Sequence, residues 1–410
     1  MILNYIWVAL FLLAMVFGLG QWLLTGDQQI FSVMFKALMD MSKTGFEIAL
    51  GLTGILTFWM GMMRVGEVSG AIQKVANWID PFFRRLFPEV PKGHPAIGSM
   101  MLNLSANMLG LGDAATPMGL KAMKELQDIN PDKETASNAQ IMFLVLNAAG
   151  FTLVPITVIM YRLQFKAANP NDVFIPILIT TFSAALAGLI AVSIKQRINL
   201  FHRTLFIGLL SLCLFVAGLI YFFLSLEKSQ MQVYSNLFAS IVVFSIMTSF
   251  ILMALWKKIS VFEVFIEGAK EGFNTAVRII PYLVAILCVI ALFRSSGGFD
   301  FIMNGVITLF NYSGLPTDFV PALPTALMKP LSGSGARGMM LELLEQQGPD
   351  SFAGRLACIF QGSVDTTLYI VAVYFGSVGV KNSRYAVGCG LIADLVSVIT
   401  AITVAYLFFG

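Results

Sequence analysis

The sequence predicts an all-α polytopic membrane protein with an inverted-topology repeat, two re-entrant helical hairpins and about nine full transmembrane helices. Hydrophobic residues make up 57% of the 410 residues, charged residues make up 12%, and the mean hydropathy is +0.81. Soluble domains carry roughly 25% charged residues, so this composition indicates a membrane protein. Two polar, glycine-rich stretches, 103–117 and 330–338, interrupt the apolar sequence, one in each half.

These two stretches are the reason to expect a transporter-like architecture. Gly and Pro prevent an unbroken spanning helix, and each exposed peptide group costs several kcal/mol in hydrocarbon. Such a backbone is tolerated at membrane depth only where protein or a water-filled cavity surrounds it. One interrupted region in each half is typical of transporters whose broken helices meet at a central site.

Apolar segments of about 20 residues define the predicted spans. They lie at 3–24, 44–63, 137–161, 172–194, 203–225, 233–256, 275–293, 354–377 and 384–409. We interpret the first as a membrane helix and not a removed signal, because it has neither a basic n-region nor a small-residue cleavage pattern. Amphipathic segments lie between the spans at 28–43, 68–87, 258–272 and 299–312. The segment 68–87 is predicted to lie in the membrane interface.

Composition also limits the partners and cofactors. The net charge is +3, and the basic residues form no stripe with stacking aromatics, so no nucleic-acid partner is expected. The four cysteines lie in apolar runs without Cys-x-x-Cys spacing, and there are only two histidines. We therefore expect no metal site, cofactor or histidine-based catalytic triad. The expected partners are a small-molecule solute, membrane lipids and H⁺ or Na⁺, with a homo-oligomer left open.

The order of parts is the same in both halves of the chain, which we divide into 1–200 and 201–410. Each half has an amphipathic stretch between Ser-Val and Gly-Phe pairs, then an apolar span that ends at an arginine. A turn, a second amphipathic segment and the glycine-rich stretch follow, and then a span with a polar centre. The corresponding positions are Ser32 and Ser260, Gly45 and Gly272, Arg64 and Arg294, and the polar centres 147–157 and 361–367.

Span counting and loop charge predict opposite orientations for the two copies. If neither glycine-rich stretch crosses the membrane, five spans separate the start of the first copy from the start of the second near residue 233. An odd number of spans inverts the second copy, the arrangement used for alternating access. Basic residues surround the first glycine-rich stretch, so its flanking loops are predicted to be cytoplasmic. This places the protein in the bacterial cytoplasmic (inner) membrane, with the N-terminus inside and the C-terminus outside.

The residues of the glycine-rich stretches carry a family resemblance. The first half, through Gly-Asp-Ala-Ala-Thr-Pro at 112–117, resembles spore maturation protein A. The second half, through Pro-Leu-Ser-Gly-Ser-Gly-Ala-Arg-Gly at 330–338, resembles spore maturation protein B. The resemblance covers most of the chain and implies a fused A–B arrangement within the nucleoside-recognition (Gate) family. That family is similar to the core of concentrative nucleoside transporters and to the membrane part of ferrous-iron transporter B.

The resemblance implies where the site lies. In the nucleoside transporters, two oppositely oriented re-entrant hairpins and two unwound helices build the substrate site. The stretches 103–117 and 330–338 match the hairpins in position, and the polar centres 147–157 and 361–367 match the unwound helices. The sequence has no P-loop or GTPase domain and its few thiols lack iron-channel spacing, which counts against ferrous iron.

The candidate substrate-binding residues share a polar side chain within the interrupted regions. They are Asn103, Ser105, Asn107, Asn147, Thr152, Ser332, Ser334, Arg337, Gln361, Ser363, Asp365 and Thr366. Asp113 and Asp365 are the ion-coupling candidates, because a carboxylate at membrane depth is costly without a partner. Asp394 is a second, lower-ranked acidic candidate. Ser332 and Ser334 suit an anionic or hydroxyl-bearing ligand at a half-helix N-terminus, and Arg337 suits carboxylate or phosphate.

Structural roles are the alternatives at these positions. Asn and Ser near broken helices cap helix ends or satisfy freed backbone groups, and Asn147 alone fits a hydrogen bond between helices. Asp113 would cap the helix that follows it. Asp365 would form an ion pair with Arg337 or Arg278.

The predicted function is membrane transport and not enzymatic catalysis. Secondary transport of a small polar or amphipathic solute, driven by H⁺ or Na⁺, is the main prediction, because no nucleotide-binding motif is present. The alternative is an intramembrane enzyme, or an assembly or regulatory component, that acts on lipid-linked cell-envelope precursors. An enzyme is disfavoured because no general base such as His accompanies the serines.

Overall fold

Helices make up most of the protein. The computed structural model describes residues 2–108, 112–226, 228–312 and 316–410, and these residues contain no strand. The helices of the first half are α1 (Ile2–Thr25), α2 (Ile30–Val68), α3 (Ala71–Leu86), α4 (Pro95–Met108), α5 (Gly112–Asp128), α6 (Asn138–Ala148), α7 (Ile156–Gln164) and α8 (Phe174–Gln196). Then follow α9 (Arg203–Leu224), α10 (Lys228–Trp256), α11 (Val261–Ser295), α12 (Gly298–Tyr312), α13 (Leu323–Met328), α14 (Gly333–Gln347), α15 (Phe352–Ser363), α16 (Thr367–Ser377) and α17 (Ala386–Phe409).

Seven segments within the described part of the chain are long and apolar enough to cross a membrane. They belong to α1, α2, α8, α9, α10, α17 and the combined α15 and α16. The apolar end of α11 makes an eighth when it is counted together with α12, from which it is bent by 71°. The one remaining predicted span, 137–161, is not a single long helix but is divided between α6 and α7. The protein is therefore a helical polytopic membrane protein, as predicted.

The same order of helices occurs twice. The first run is α1 to α8, the second is α10 to α17, and α9 lies between them. Each run contains a long second helix, of 39 residues in α2 and 35 residues in α11. A short amphipathic helix, two helices that pack against each other, a divided helix and a final apolar helix follow in both runs. This repeated order confirms the repeated order of parts read from the sequence.

The long helices differ from the expected arrangement. The sequence predicted amphipathic segments at 28–43 and 258–272 that were separate from the spans after them. In the structure each amphipathic segment continues into its span within one helix, α2 or α11. Gly45, between the two predicted parts of α2, does not end the helix. Its missing Cβ lets α11 approach closely, since a Cβ there would lie 3.3 Å from the Val284 Cα.

Two compact units divide the chain discontinuously. Unit 1 contains Met1–Gly61, Met160–Pro170 and Ile266–Gln361, and unit 2 contains Met62–Ile159, Asn171–Phe265 and Gly362–Gly410. Unit 2 includes the pair α4 and α5 with α6 and α16, while unit 1 includes the pair α13 and α14 with most of α15 and the later part of α7. Each unit thus holds one helical pair and portions of both divided helices.

Unit 2 is held together by helices from both halves of the sequence. The final helices of the two runs, α8 and α17, pack along each other. At one end of the unit, the loop before α6 meets the loop before α17: Lys381 N and Asn382 N both donate to Glu134 O, and Ala136 N donates to Asn382 O at 2.9 Å. The Lys381 Nζ lies 2.6 Å from Glu134 Oε1. In the same loop, hydrogen bonds from the Thr135 side chain and the Glu134 backbone lower the pKa of the exposed Asp132 carboxyl.

Unit 1 contains a buried arginine that joins the two halves of the sequence. Arg162, near the end of α7, is fully buried. Its Nη2 donates to Asp350 Oδ1 at 3.1 Å and to Asn169 O at 3.0 Å, and its Nη1 donates to Pro349 O at 2.5 Å. Asp350 Oδ2 in turn accepts from Ala168 N at 2.9 Å. A buried charge needs such partners, so this cluster fixes the chain after α7 against the loop before α15.

The glycine-rich stretches form helical pairs. In unit 2, α4 and α5 pack against each other on either side of 109–111, which lie outside the described residues. In unit 1, α13 packs against α14 after a 3-10 turn, Val320–Ala322. Their entry into a membrane from opposite sides stays a prediction.

Candidate functional site at two helix breaks

Both spans with polar centres are interrupted where the sequence predicted. In the first of these spans, α6 ends at Ala148 and α7 begins at Ile156, after Gly150 and Pro155. In the second span, α15 ends at Ser363 and α16 begins at Thr367, and Thr366 is the N-cap of α16 in an extended conformation. A helix end leaves backbone groups without intrahelical partners, so both interruptions create polar backbone within apolar segments.

The two interruptions, 149–155 (the first break) and 364–366 (the second break), are connected by backbone hydrogen bonds to each other's helix ends and to the end of α4. Asp365 N, in the second break, donates to Ala148 O at the end of α6, at 2.8 Å. Leu153 N, in the first break, donates to Met108 O at the end of α4, also at 2.8 Å. Amides of the breaks therefore satisfy carbonyls that the ends of α6 and α4 leave open. This junction lies within unit 2.

Three asparagines and a tyrosine form a network beside the junction. Asn147 Nδ2 donates to Asn103 Oδ1 at 2.7 Å and to the Tyr374 hydroxyl at 3.1 Å. Asn107 Nδ2 donates to Asn147 Oδ1 at 2.9 Å. Asn103, Asn147 and Tyr374 are buried, whereas Asn107 is partly exposed and its Oδ1 accepts no hydrogen bond from a described residue. The sequence-based alternative for Asn147, a hydrogen bond between helices, is therefore present, and Asn107 keeps an acceptor for a ligand.

Tyr374, which the sequence analysis did not select, is positioned by α5 and α6. Its ring stacks on Phe143 at a centroid distance of 6.0 Å and an interplanar angle of 9°. Gly119 of α5 faces its hydroxyl, and any Cβ at residue 119 would overlap that oxygen. The only signal in the sequence was a tyrosine within an apolar run, whose hydroxyl needs a partner when it is buried.

Asp365 projects from the second break with an exposed side chain. Its Oδ1 accepts from Thr366 N at 2.7 Å, and its other oxygen makes no hydrogen bond to a described residue of unit 2. Of its two predicted structural partners, Arg337 belongs to unit 1, and the side chain of Arg278 lies outside the described residues. The carboxylate is thus held at one oxygen and accessible at the other.

A second set of polar contacts connects the residues on either side of the second break to α17. Ser397 Oγ donates to Ser363 Oγ at 2.9 Å, and Thr367 Oγ1 donates to Asp394 Oδ1 at 3.0 Å. All four residues are buried, and Asp394 and Ser397 lie three residues apart on one helix face. Ser363 and Asp394, both proposed from the sequence, therefore support the backbone on either side of Asp365.

Four candidates belong to unit 1 and are described separately. Ser332 caps α14: its Oγ accepts from Gly335 N at 3.0 Å and lies 3.2 Å from Ser334 Oγ. The capping alternative for Ser332 is therefore present. Arg337 lies over the Tyr161 ring, with its Cζ 5.9 Å from the centroid. Gln361, near the end of α15, accepts a hydrogen bond at its backbone oxygen from Lys329 Nζ at 2.7 Å.

The remaining candidates lie around the unit 2 junction without joining the network. Ser105 is two residues from both Asn103 and Asn107, so it faces another side of α4; its buried hydroxyl has no hydrogen-bond partner among the described residues. Thr152 is partly buried in the first break. Asp113 lies in the first turn of α5, and its side chain is outside the described residues. Because α5 begins at Gly112, the helix starts earlier than the sequence analysis assumed.

No group of His, Cys, Asp and Glu residues in the described part of the chain is arranged to hold a metal ion. The junction instead offers amide, carboxylate and hydroxyl groups, which suit hydrogen bonding to a polar molecule or binding of a proton or monovalent cation.

The chain is similar in sequence to two known proteins, each of which matches part of its length. The chain is 47% identical to "Spore maturation protein B" of Bacillus subtilis (strain 168) over 165 residues, which are 40% of this chain and 91% of that protein. It is 36% identical to "Spore maturation protein A" of the same organism over 187 residues, which are 46% of this chain and 92% of that protein. No solved structure matches the chain.

The family match follows the repeated order of helices. The nucleoside-recognition family, Gate, matches residues 49–164 and 276–381. Each matched segment runs from within a long helix, α2 or α11, through the helical pair to the divided helix. Together the two segments cover more than half of the chain. The protein therefore belongs to the nucleoside-recognition (Gate) family and combines counterparts of spore maturation proteins A and B in one polypeptide.

Proposed function

We propose that this protein is a secondary transporter of the bacterial cytoplasmic membrane that moves a small polar or amphipathic solute by ion-coupled alternating access. The observation that carries the proposal is the junction in unit 2. There, two interrupted helices and the end of α4 are joined through Asp365 N, Ala148 O, Leu153 N and Met108 O. Interrupted helices that meet within apolar segments are the usual framework of a transport site.

The solute site of this proposal lies beside the junction. Asn107 presents an unused amide oxygen and Asp365 an accessible carboxylate oxygen, while Asn103, Asn147 and Tyr374 hold the neighbouring backbone in place. Amide and carboxylate oxygens accept hydrogen bonds, so they favour a solute with hydroxyl, amide or amine donors. Nucleosides carry such groups and fit the description of the family, which makes them the first solutes to test.

The proposed membrane arrangement is an inverted repeat. The pairs α4/α5 and α13/α14 act as re-entrant hairpins from opposite sides, with the N-terminus in the cytoplasm and the C-terminus outside. The repeated order of helices, with the single helix α9 between the runs, supports this arrangement. When each run crosses the membrane an even number of times, the one extra crossing of α9 reverses the second run, an arrangement used for alternating access.

Asp365 is the proposed coupling residue. A carboxylate in a break within a spanning segment is penalised by at least about 2.5–3.5 kcal/mol when it is charged and unpaired. Binding of a proton or a cationic group removes that penalty, so occupancy of Asp365 favours one conformation of the break over another.

The test is uptake by protein reconstituted in liposomes. A panel of radiolabelled nucleosides and amino acids is offered under an imposed ion gradient. We expect accumulation of at least one compound, and loss of that accumulation in Asp365→Asn without loss of folded protein. Asp40→Asn, which changes an exposed aspartate of α2, is the matched control and should transport normally.

Two results would contradict the proposal. Accumulation that is unchanged in Asp365→Asn would remove the coupling role. An absence of uptake across the panel, together with binding of lipid-linked envelope precursors to the purified protein, would favour the alternative role as an assembly component or enzyme.

A further inference from the structure

Lys329 is a buried cation in unit 1 whose role the sequence did not reveal. It follows α13 directly, before α14, and it is 6% exposed. Its Nζ donates a hydrogen bond to Gln361 O at 2.7 Å. In the sequence, Lys329 precedes Pro330 at the start of the glycine-rich stretch, a position that is typical of a charged loop.

The position of this ammonium has a clear physical meaning. The helix α15 ends at Ser363, so Gln361 O belongs to the last turn, where carbonyls have no intrahelical donor. The end of a helix carries a partial negative charge that attracts cations. Interrupted helices of transporters use such C-terminal carbonyls to coordinate Na⁺. Here a lysine side chain reaches that position from another segment of the chain.

The Gln361 side chain contributes a second oxygen at the same helix end. Its Oε1 is buried and has no hydrogen-bond partner among the described residues. A helix-end carbonyl together with an unused amide oxygen provides ligands of the kind that hard monovalent cations bind. Because the Lys329 ammonium already bonds to this carbonyl, a free cation there would meet a fixed like charge, which is unfavourable at short range.

We propose that Lys329 is a tethered cation that takes the place of a bound Na⁺ at the C-terminal end of α15. The protein therefore needs no Na⁺ for its folded structure at this position. The consequence for coupling, that no Na⁺ ion acts at this helix end during transport, rests on the proposed function; the tethered cation itself does not.

Thermal unfolding of the purified full-length protein tests the tethered cation directly. The wild type is compared in NaCl, KCl and choline chloride at equal ionic strength. We expect the same Tm in all three salts. Asp365→Asn is compared in the same salts, because Asp365 is the other proposed cation site. A saturable rise in Tm that is specific to Na⁺ and persists in Asp365→Asn would overturn the proposal.

Three variants of Lys329 extend the test. Lys329→Ala empties the position, so its Tm in choline chloride should fall by at least about 2 °C and recover in part when Na⁺ is added. Lys329→Met fills the space without a charge. Its Tm should be lower than that of the wild type and should not change when Na⁺ is added. Lys329→Arg keeps the charge and should remain insensitive to Na⁺. Lys43→Ala, at a lysine whose side chain is 78% exposed, is the matched control and should behave as the wild type.

If Lys329→Ala is as stable as Lys43→Ala in every salt, the lysine does not act as a resident cation and the inference fails. If Lys329→Ala does not fold, the salt comparison of the wild type and Asp365→Asn still decides.

Uptake measurements separate this inference from the proposed function. Solute accumulation that follows a proton gradient and is unaffected by removal of Na⁺ would support both. Accumulation that requires an Na⁺ gradient, together with an Na⁺-specific rise in Tm that persists in Asp365→Asn, would support transport but contradict the tethered cation. No accumulation of any solute, with the salt response of Tm as expected, would leave the tethered cation in place and remove the transport proposal.

Discussion

Asn147 makes side-chain hydrogen bonds to three residues of the candidate site, so its replacement tests the network directly. Asn147→Leu keeps the branching at Cγ but removes the hydrogen bonds of Asn147 to Asn103, Asn107 and Tyr374. Unsatisfied buried polar groups cost about 1–3 kcal/mol each, so we expect unfolding to become easier by about 2–4 kcal/mol. Unfolding in detergent measures this loss. Asn304→Leu, at an exposed position of α12, should have little effect, and an equally small effect of Asn147→Leu would contradict the network.

Arg162 allows a second test at the scale of a residue. Arg162→Met removes a fully buried guanidinium, so several carbonyls and Asp350 Oδ1 lose the hydrogen bonds that it donates. The side chain of Asp350 is 37% exposed, so its unpaired carboxylate stays partly solvated, and the loss comes mainly from the carbonyls, at about 1–3 kcal/mol for each buried group left unsatisfied. Arg355→Met is the comparison, because Arg355 is 18% exposed and its Nη2 lies 3.7 Å from Asp350 Oδ1. Unfolding measurements should show a larger loss of unfolding free energy for Arg162→Met than for Arg355→Met. Equal losses would mean that the buried hydrogen bonds of Arg162 contribute no additional stability.

Some of these residues could be predicted from the sequence and some could not. Asn147 and Asp365 are polar groups in apolar runs, and such groups are visible because their burial is costly. Tyr374 and Lys329 were missed for a different reason. A tyrosine counts as apolar in a hydropathy pattern, and a lysine beside a proline is typical of a loop, so their roles depend on contacts with residues that are distant in the sequence.

At the scale of helices, the close approach of α5 to α16 can be tested at Gly119. A Cβ in Gly119→Ala would overlap the Tyr374 hydroxyl and displace a ring that is stacked on Phe143. Overpacking of this kind costs about 1–3 kcal/mol. Gly98→Ala is the control: Gly98 lies in α4 of the same helical pair with open space around it, so the change should be neutral or slightly stabilising.

A double-mutant cycle makes the Gly119 test specific. Tyr374→Phe removes the oxygen that a Cβ at residue 119 would meet, so the cost of Gly119→Ala should be smaller in that background. Equal costs in both backgrounds would place the strain elsewhere in α5.

Helix boundaries show what a hydropathy pattern contains and what it lacks. The breaks after Ala148 and Ser363 were predicted because polar residues accumulate there within apolar spans. The continuity of α2 across Gly45 was not predicted, because a window that measures hydropathy does not measure whether a helix ends. Only the packing of Val284 against Gly45 shows why a glycine is tolerated at that point.

At the scale of the whole molecule, labelling of single cysteines tests the inverted repeat. In a background without the native cysteines, Lys92→Cys and Lys133→Cys flank the first helical pair, and Gln347→Cys ends the second. We expect the first two to react with impermeant maleimide only from the cytoplasmic side, and Gln347→Cys only from outside. Labelling of 92 and 347 from the same side would exclude opposite orientations, whereas labelling of 92 and 133 from opposite sides would exclude re-entrance.

Division of the chain tests whether the halves depend on each other. Both units combine segments from both halves, through α8 with α17 and through Arg162 with Asp350. If residues 1–200 and 201–410 are expressed together as separate chains, a tag on one half should co-purify the other. A control cut between Ala184 and Ala185, inside α8, should prevent assembly. Separate purification of the two halves would contradict the mutual dependence.

The whole-molecule arrangement was only partly predictable. The repeated order of parts could be recognised because each part has its own composition. The discontinuous units could not, since one sequence does not show which of its distant segments share a core.

The discontinuous units have a consequence for how the protein is made. A half that is synthesised without its counterpart would expose the apolar surfaces that α8 and α17 otherwise cover, and such surfaces lead to aggregation or degradation. Two separate genes would have to be expressed at matched rates to avoid this. In a single polypeptide the two halves are always produced in equal number, so the ratio is fixed by translation and needs no separate control.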